Sequence, residues 1–172
     1  MKLIQINTSA NTSSTGKIAH QISTLSIDNG YESIIAFSGR FTENKDSPKF
    51  LRIGTKFDFY LHAFFTRIFD NHGFGSIKAT KKLLKQIDIF KPDIIHLHNL
   101  HGYYINIEIL FNYLAMANIP IVWTMHDCWA LTGHCSHFEY VSCEKWKTHC
   151  YNCPQKSSYP SSFLLDNSKS NF

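Results

Sequence analysis

The stretch Pro120-Ile121-Val122-Trp123-Thr124-Met125-His126-Asp127-Cys128-Trp129 decides the fold class, because an apolar run leads directly into polar, titratable residues. We interpret the run as a buried β-strand, with His126 and Asp127 just beyond its carboxyl end. In α/β sheets, ligands bind at the carboxyl ends of the strands. The stretch therefore predicts one wall of a binding or active site.

Strands and helices alternate along the rest of the chain. Short apolar runs predict four further strands, at residues 2–6, 32–37, 50–53 and 93–97. Apolar residues at helical spacing predict four helices, at about residues 17–29, 57–70, 77–90 and 106–117. Loop signals are found at residues 38–39 and 44–48, and a last helix is expected to begin near residue 166. This alternation predicts one α/β domain with a parallel sheet flanked by helices.

The composition is that of a globular protein. Hydrophobic residues make up 44% of the 172 residues and charged residues 17%, which excludes intrinsic disorder. The chain has no run of 18 apolar residues and no signal-peptide core, so we predict a cytoplasmic protein without a transmembrane helix. In that compartment the five cysteines are expected to be thiols or metal ligands rather than disulfides. The net charge of +4 suits phosphates or an anionic membrane surface, but decides neither.

Three histidines and an asparagine end or follow the strand predicted at residues 93–97. His96 lies within the strand, and we expect it to be a core histidine with satisfied hydrogen bonds. His98, Asn99 and His101 lie closer to the carboxyl edge of the sheet. At that edge they are candidates to bind a polyhydroxyl ligand, a phosphate or a metal ion.

His126 and Asp127 follow the strand of the opening stretch. His126 is the natural candidate for acid–base work or for binding a hydroxyl group near neutral pH. Adjacent residues of an extended chain point in opposite directions, so one of the two is expected to face a ligand while the other braces the loop. The alternative interpretation is a purely structural strand end.

A cysteine-rich segment at residues 128–154 carries the sharpest spacing signal. Four of its cysteines follow the pattern C-x7-C-x6-C-x2-C, at Cys135, Cys143, Cys150 and Cys153. The last pair has the spacing of zinc knuckles, and four thiolates would satisfy a tetrahedral, structural Zn²⁺ ion that folds a short insertion. His134, His137 or His149 could replace one cysteine, whereas Cys128 stands outside the set. Free thiols and disulfides remain as alternatives.

The first predicted βα loop, at residues 7–15, closes on Gly16 at the start of a helix. Backbone N–H groups at such a helix start can bind an anion, and glycine permits close approach of the backbone. Thr15 and Gly16 are therefore candidate substrate-binding residues. The alternative is an ordinary turn, because a lone glycine does not match the dinucleotide-binding fingerprint.

Two predicted helices have distinctive faces. The helix at residues 57–70 has an aromatic face that is more typical of a core than of a lipid groove, formed by Phe57, Leu61, Phe64, Phe65 and Ile68. The next helix, which we expect Ser76 to cap, has a basic face formed by Lys78, Lys81, Lys82 and Lys85. A solvated face is the ordinary interpretation of such lysines, and binding to anionic lipid head groups is the alternative.

Three segments carry a resemblance to a known family. The residues at 13–19 (Ser-Ser-Thr-Gly-Lys-Ile-Ala), 93–99 (Asp-Ile-Ile-His-Leu-His-Asn) and 122–129 resemble the N-terminal half of GT-B retaining glycosyltransferases of family 4. The residues at 126–135, 143–146 and 150–154, which include the cysteines, resemble a bacterial subgroup that acts in exopolysaccharide or capsule assembly. The resemblance covers nearly the whole chain, and its cysteine-rich part is the most specific.

The resemblance implies a Rossmann-like domain on the acceptor side of a retaining hexosyltransferase that uses a nucleotide-sugar. It implies that His126 lies close to the transferred sugar and helps to stabilise the transition state. It places Thr15 and Gly16 near the donor phosphates, and it places the acceptor near His98, Asn99 and His101. Such enzymes often act on lipid-linked glycans at the inner face of the cytoplasmic membrane, so a peripheral membrane location is implied.

The sequence also departs from the family. Residues 11–14 replace the paired glycines that the first loop of the family usually carries. A second domain, which would bind the nucleotide-sugar, is not found in residues 1–172. We therefore expect a single, incomplete domain that is inactive alone and belongs to a longer enzyme.

One alternative to a glycosyltransferase is a non-catalytic Rossmann-like module with a structural zinc knuckle, which would recognise a glycan or a protein. A zinc protein that binds nucleic acid is disfavoured, because the basic residues do not cluster on the cysteine segment.

Overall fold

The computed structural model describes residues 1–39 and 48–172, and its centre is a five-stranded, all-parallel sheet. The strands are β1 (Lys2–Asn7), β2 (Glu32–Phe37), β3 (Lys49–Arg52), β4 (Ile94–Leu97) and β5 (Ile121–Trp123). Their order across the sheet is β3-β2-β1-β4-β5. The predicted α/β class and the Rossmann-like arrangement are confirmed.

The described residues form helices between β1 and β2, between β3 and β4, and between β4 and β5, as crossovers of parallel strands require, and one helical turn after β5. They are α1 (Ser13–Asp28), α2 (Lys56–Phe69), α3 (Ile77–Phe90), α4 (Ile107–Met116) and the single turn α5 (Ser168–Asn171). Most boundaries lie within two residues of the prediction, but α1 begins at Ser13 rather than near Lys17. The predicted loop at 44–48 lies outside the described residues except for Pro48.

Apolar side chains on the two faces of the sheet form two clusters. The larger lies between the sheet and helices α3 and α4, and its fully buried members include Ile4, Ile6, Ile95, Leu97, Ile87 and Leu110. The smaller packs α1 on the opposite face, with Ala19 against Ile35 and Phe37. Because both faces are covered, the central strands β1 and β4 are largely apolar, with Gln5 and His96 as polar exceptions inside them.

Two helix starts are capped by side chains, and one expected cap is wrong. Thr55 and Asp58 form a capping box at the start of α2, and the Asn106 side chain accepts a hydrogen bond from the Ile109 amide in α4. Ser76 stands at the N-cap of α3, but makes no capping hydrogen bond. Its hydroxyl instead contacts Nδ1 of His62 at 2.9 Å.

The strand of the opening stretch differs from the prediction of a buried strand. It spans only Ile121–Trp123, at one end of the sheet order. Ile121 and Val122 are 44% and 48% exposed, because β5 pairs only with β4 in the described part of the chain. The apolar run indicated a strand correctly, but its burial was overestimated.

The aromatic face of α2 is also not the core face that we predicted. Phe57, Phe64 and Phe65 are 72%, 55% and 44% exposed, whereas the helix buries His62, Ala63 and Thr66. The four lysines of α3 are exposed, as expected. None of the helices in residues 1–39 and 48–172 is long and apolar enough to cross a membrane.

The strand order places a crevice at a defined point. The chain runs from β1 outward to β3, and then returns to β4 on the other side of β1. Ligands of open α/β sheets bind at this switch point, outside the carboxyl ends of the strands. Here the switch point lies between Asn7 at the end of β1 and the residues that follow Leu97 at the end of β4.

Candidate functional site

A row of three histidines lies at the carboxyl edge of β4 and β5. The rings of His96 and His98 stack with centroids 4.1 Å apart, and those of His98 and His126 stack at 5.4 Å. His96 Nε2 contacts the Thr124 hydroxyl at 2.8 Å, and His98 Nδ1 contacts His126 Nε2 at 3.1 Å. Two segments that are 28 residues apart in sequence are thereby joined at the carboxyl edge of β4 and β5.

His98 is a supporting residue in this row rather than an open ligand. It is only 1% exposed, and its second nitrogen, Nε2, contacts the Gln5 side-chain oxygen at 2.9 Å. Both ring nitrogens of His98 thus have protein partners, and a direct contact of His98 with substrate stays a prediction. His96, expected to be a satisfied core histidine, has a partner for Nε2 but is only partly buried.

Two rings of the row, those of His96 and His98, are uncharged at neutral pH. Burial, followed by the proximity of His96 and His126, lowers the pKa of His98 to about 3. Burial, with a smaller effect of His126, also lowers the pKa of His96. Neutral imidazoles present one donor and one acceptor each, so the row can carry directed hydrogen bonds to the cleft surface.

A second linked pair lies beside the row. His101 Nε2 contacts the Asp127 carboxylate at 2.5 Å, and His101 Nδ1 contacts the Tyr159 hydroxyl at 3.0 Å. The other oxygen of Asp127 accepts the Trp129 amide at 3.0 Å. Burial alone would raise the pKa of Asp127, but its hydrogen bond and its attraction to His101 hold the pKa below the usual value. Asp127 therefore braces the loop after β5 as an anion.

Asn99, His101, His126 and Asp127 line one surface depression. A glycine-dependent contact brings the neighbouring loops together there. Gly102 has a φ of +123°, and an added Cβ would lie 2.5 Å from the Thr8 side chain. The loop after β4 can approach the loop after β1 only because residue 102 is glycine.

Thr15 and Gly16 lie inside the first turn of α1, and not in the loop before it. The Thr15 hydroxyl accepts a hydrogen bond from the side-chain nitrogen of Asn7 at 3.3 Å. Gly16 is buried, and an added Cβ would lie 2.7 Å from the Ser9 hydroxyl. Gly16 thus allows α1 to pack on its own preceding loop, which is a structural need. A contact of either residue with substrate stays a prediction.

The four cysteines with the zinc-like spacing lie around one small cavity, together with His134. All five cysteines of the chain are free thiols, and Cys128 contacts Glu139 rather than the other four. The Cys153 thiol, by hydrogen bonding, lowers the pKa of Cys135 to about 6. Within the described residues, however, no three histidine, cysteine or acidic side chains form a group that could hold a metal ion. The structure therefore does not support the zinc prediction, and the status of this segment as an insertion stays a prediction.

His134 joins the cysteine segment to α2. Its Nδ1 contacts the Asp70 carboxylate at 2.5 Å, and both side chains are completely buried. The second oxygen of Asp70 accepts the Asn167 amide at 2.9 Å. His134 Nε2 is buried, and no hydrogen-bond partner is found for it among the described residues. The pair therefore holds the cysteine segment and the last residues of the chain on the end of α2.

Comparison with known proteins gives one relative and no matching family model. The chain is 30% identical over 99 residues to a predicted colanic acid biosynthesis glycosyl transferase, WcaC, of Escherichia coli (strain K12). The chain is similar to an exopolysaccharide glycosyltransferase. This finding confirms the resemblance to a glycosyltransferase of exopolysaccharide type, whereas the GT-B fold and the retaining mechanism stay predictions. The matched region is 55% of this chain but only 24% of WcaC, so the chain spans about a quarter of its relative.

The predicted site residues outside α1 fall into two groups. His126, Asn99, His101 and Asp127 are brought together at the carboxyl edge, whereas the four cysteines lie around a separate cavity. Sequence reasoning missed the side chains that support the first group, namely Gln5, Thr124 and Tyr159. No spacing signal could have found them, since each joins the site only through the fold.

Proposed function

We propose that this chain is the acceptor-side domain of a retaining, nucleotide-sugar-dependent hexosyltransferase of cell-surface polysaccharide synthesis. The supporting observation is the cluster of His126, Asn99 and the His101–Asp127 pair at the carboxyl edge of β4 and β5. The relative, by its name a glycosyl transferase of colanic acid biosynthesis, supports the same reaction class. The acceptor in this proposal is a saccharide, free or lipid-linked.

In this proposal His126 binds a hydroxyl of the transferred sugar, and Asn99 and His101 face the acceptor. Asp127 holds His101 in place through its short hydrogen bond. The start of α1 carries no side-chain cap, so its first amides can donate to an anion such as the leaving phosphate. A further domain of the enzyme would hold most of the nucleotide-sugar.

A transfer assay tests this function. The complete protein is incubated with radiolabelled nucleotide-sugars and, in parallel, with free or lipid-linked glycan acceptors. We expect label in the acceptor fraction for at least one donor. Binding of glycans without any transfer would instead support the rival function, a non-catalytic binding module.

We also propose, as a separate point, that the cysteine segment holds a structural zinc ion. The donor types suit zinc, since four thiols and the unpartnered His134 Nε2 surround one cavity, and Asp70 orients that imidazole as carboxylates do at zinc sites. Their present positions do not form a metal-binding group, so the thiols would have to move toward the ion.

Elemental analysis of the purified protein tests the zinc proposal. We expect about one zinc per chain, as one tetrahedral thiolate site would hold. The double variant Cys150→Ser/Cys153→Ser should lose the metal, whereas Cys128→Ser should retain it, because Cys128 is bonded to Glu139 outside the cavity. Metal-free protein with readily titrated thiols under native conditions would end the proposal.

The exposed face of α2 fits a peripheral position on the inner side of the membrane in this proposal. Phe64 and Phe65 are 55% and 44% exposed, and the α3 lysines add positive charge. We expect Phe64→Ser/Phe65→Ser to weaken binding to anionic vesicles at least about tenfold, because each buried phenylalanine contributes roughly 1.5–3 kcal/mol. Tyr140→Ser, at an exposed aromatic elsewhere, is the control. Unchanged sedimentation with vesicles would place the membrane contact elsewhere or exclude it.

A further inference from the structure

We infer that Gln5 and His98 fix the tautomer of His126, with its proton on Nε2 and an open lone pair on Nδ1. Three hydrogen bonds carry this inference, and they run from a backbone carbonyl of α1, through the sheet, to the cleft. The tautomer follows from the structure alone, whereas its consequence for sugar transfer rests on the proposed function.

The orientation of the Gln5 side chain is the first step. Gln5 is completely buried on the α1 side of β1, and its amide nitrogen lies 2.8 Å from the Ala19 carbonyl and 2.8 Å from the Ser23 hydroxyl. A carbonyl oxygen only accepts hydrogen bonds, so the nitrogen end of the amide must face Ala19. The oxygen end, Oε1, must then face His98, which it contacts at 2.9 Å.

The tautomer of His98 is the second step. Because Oε1 of Gln5 only accepts, His98 Nε2 must carry a proton and donate it. Burial keeps His98 neutral, as its lowered pKa agrees, so its Nδ1 has no proton and is an acceptor. The 3.1 Å contact between His98 Nδ1 and His126 Nε2 is a hydrogen bond only if His126 donates. His126 therefore holds its proton on Nε2.

The cleft side of His126 is the third step. With Nε2 donating inward, the Nδ1 atom of neutral His126 is an acceptor, and no partner for it is found in residues 1–39 and 48–172. His126 is partly exposed in the depression that Asn99 and Asp127 also line. A group that binds there must offer a proton, as a sugar hydroxyl does. Neutral His126 thus selects a hydroxyl donor and disfavours a ligand that presents only acceptors.

The groups around His126 do not counter this assignment. From β4, His98 faces it directly, and His96 lies near enough that His126, after burial, adds to the lowering of the His96 pKa. The Thr124 hydroxyl bonds to His96, and Asp127 is engaged by His101 and by the Trp129 amide. A threonine hydroxyl both donates and accepts, so it imposes no tautomer on the row.

Nitrogen NMR of histidine side chains tests the inference without any substrate. In ¹⁵N-histidine-labelled wild-type protein, we expect His98 and His126 both to show a protonated Nε2 and an unprotonated Nδ1 when the two rings are neutral. The signals are assigned from the single variants His98→Gln and His126→Asn. A protonated Nδ1 on neutral His126 in the wild-type protein would overturn the inference, whatever any variant does.

Gln5→Leu gives the second arm, with Ser33→Ala as a control that also removes a buried hydrogen bond but touches neither histidine. Leucine offers no acceptor, so His98 should lose its Nε2–H preference and His126 should change with it. In transfer assays we expect kcat to fall at least about tenfold with little change in KM, since loss of the group that sets a catalytic histidine's tautomer can cost about 10⁴. A folded Gln5→Leu protein with both tautomers unchanged would contradict the relay. Correct tautomers without any transfer would instead count against the proposed function.

Discussion

His126→Ala is expected to lower kcat/KM for sugar transfer by about 10²–10⁴, the contribution of one positioned acid–base or hydrogen-bonding group. His126 lies at the carboxyl edge beside Asn99 and Asp127, and it is the partly exposed end of the histidine row that lines the depression. Its removal leaves His98 Nδ1 without a donor at a partly buried contact. The free energy of unfolding should therefore fall by only about 1–3 kcal/mol. The variant should stay folded, so the loss of transfer would not be caused by unfolding.

The control for this variant is His20→Ala. His20 lies on α1 and contacts Thr24 of the same helix. The substitution therefore removes a histidine without changing the histidine row. Transfer is measured at saturating and limiting donor concentrations, and folding is followed by circular dichroism. If His126→Ala retains the wild-type rate, His126 has no part in the reaction.

Asp70→Ala is expected to lower the free energy of unfolding by about 3–5 kcal/mol, as the loss of one partner of a buried pair does. Asp70 and His134 are completely buried and lie 2.5 Å apart, and Asp70 also accepts the Asn167 amide. The variant leaves His134 without a partner at either nitrogen in the described structure. Denaturant unfolding gives the change directly.

Asp88→Ala is the matched control, because Asp88 is an exposed acid that accepts a hydrogen bond from the Tyr113 hydroxyl. Its effect should stay within about 1 kcal/mol, the usual limit for surface contacts. Limited proteolysis adds a second readout, since the Asp70 variant should expose residues 134–167 to cleavage. Equal stability of the two variants would show that the buried pair does not hold the cysteine segment.

The strands and helices were largely predictable, because each is encoded by a local pattern. The apolar run at residues 32–37 became β2 with the predicted ends, and helical spacing placed α3 and α4 within two residues. The start of α1 was misjudged because its first residues, from Ser13, are polar and lack a capping side chain. Local polarity there indicated a loop, while the packing of Gly16 on Ser9 favours the helix.

Burial was the less predictable property. The aromatic residues of α2 and the apolar residues of β5 suggested core positions, yet both are exposed in the described structure. Hydrophobicity shows which residues favour burial, but not which side of an element the sheet covers. For α2 the covered side holds His62, Ala63 and Thr66, a set that carries little hydrophobic signal.

The residues of the candidate site were predictable from the sequence, but the hydrogen bonds between them were not. His126, Asn99 and His101 followed from their position after predicted strands, and the strand order then placed them at one edge. The pairing of His101 with Asp127 spans 26 residues, and that of Gln5 with His98 spans 93. Contacts of this kind depend on register and strand order, which the local pattern does not contain.

Side-chain NMR of His126 in the presence of substrate tests the central claim most directly. The complete protein, labelled with ¹⁵N-histidine, is titrated with nucleotide-sugar and then with acceptor under conditions of measurable transfer. The account predicts that the Nδ1 signal of His126 shifts as a hydroxyl donates to it, while the signals of His20 stay in place. Transfer that proceeds with an unchanged His126 signal would contradict the assignment of the carboxyl edge as the site of sugar transfer.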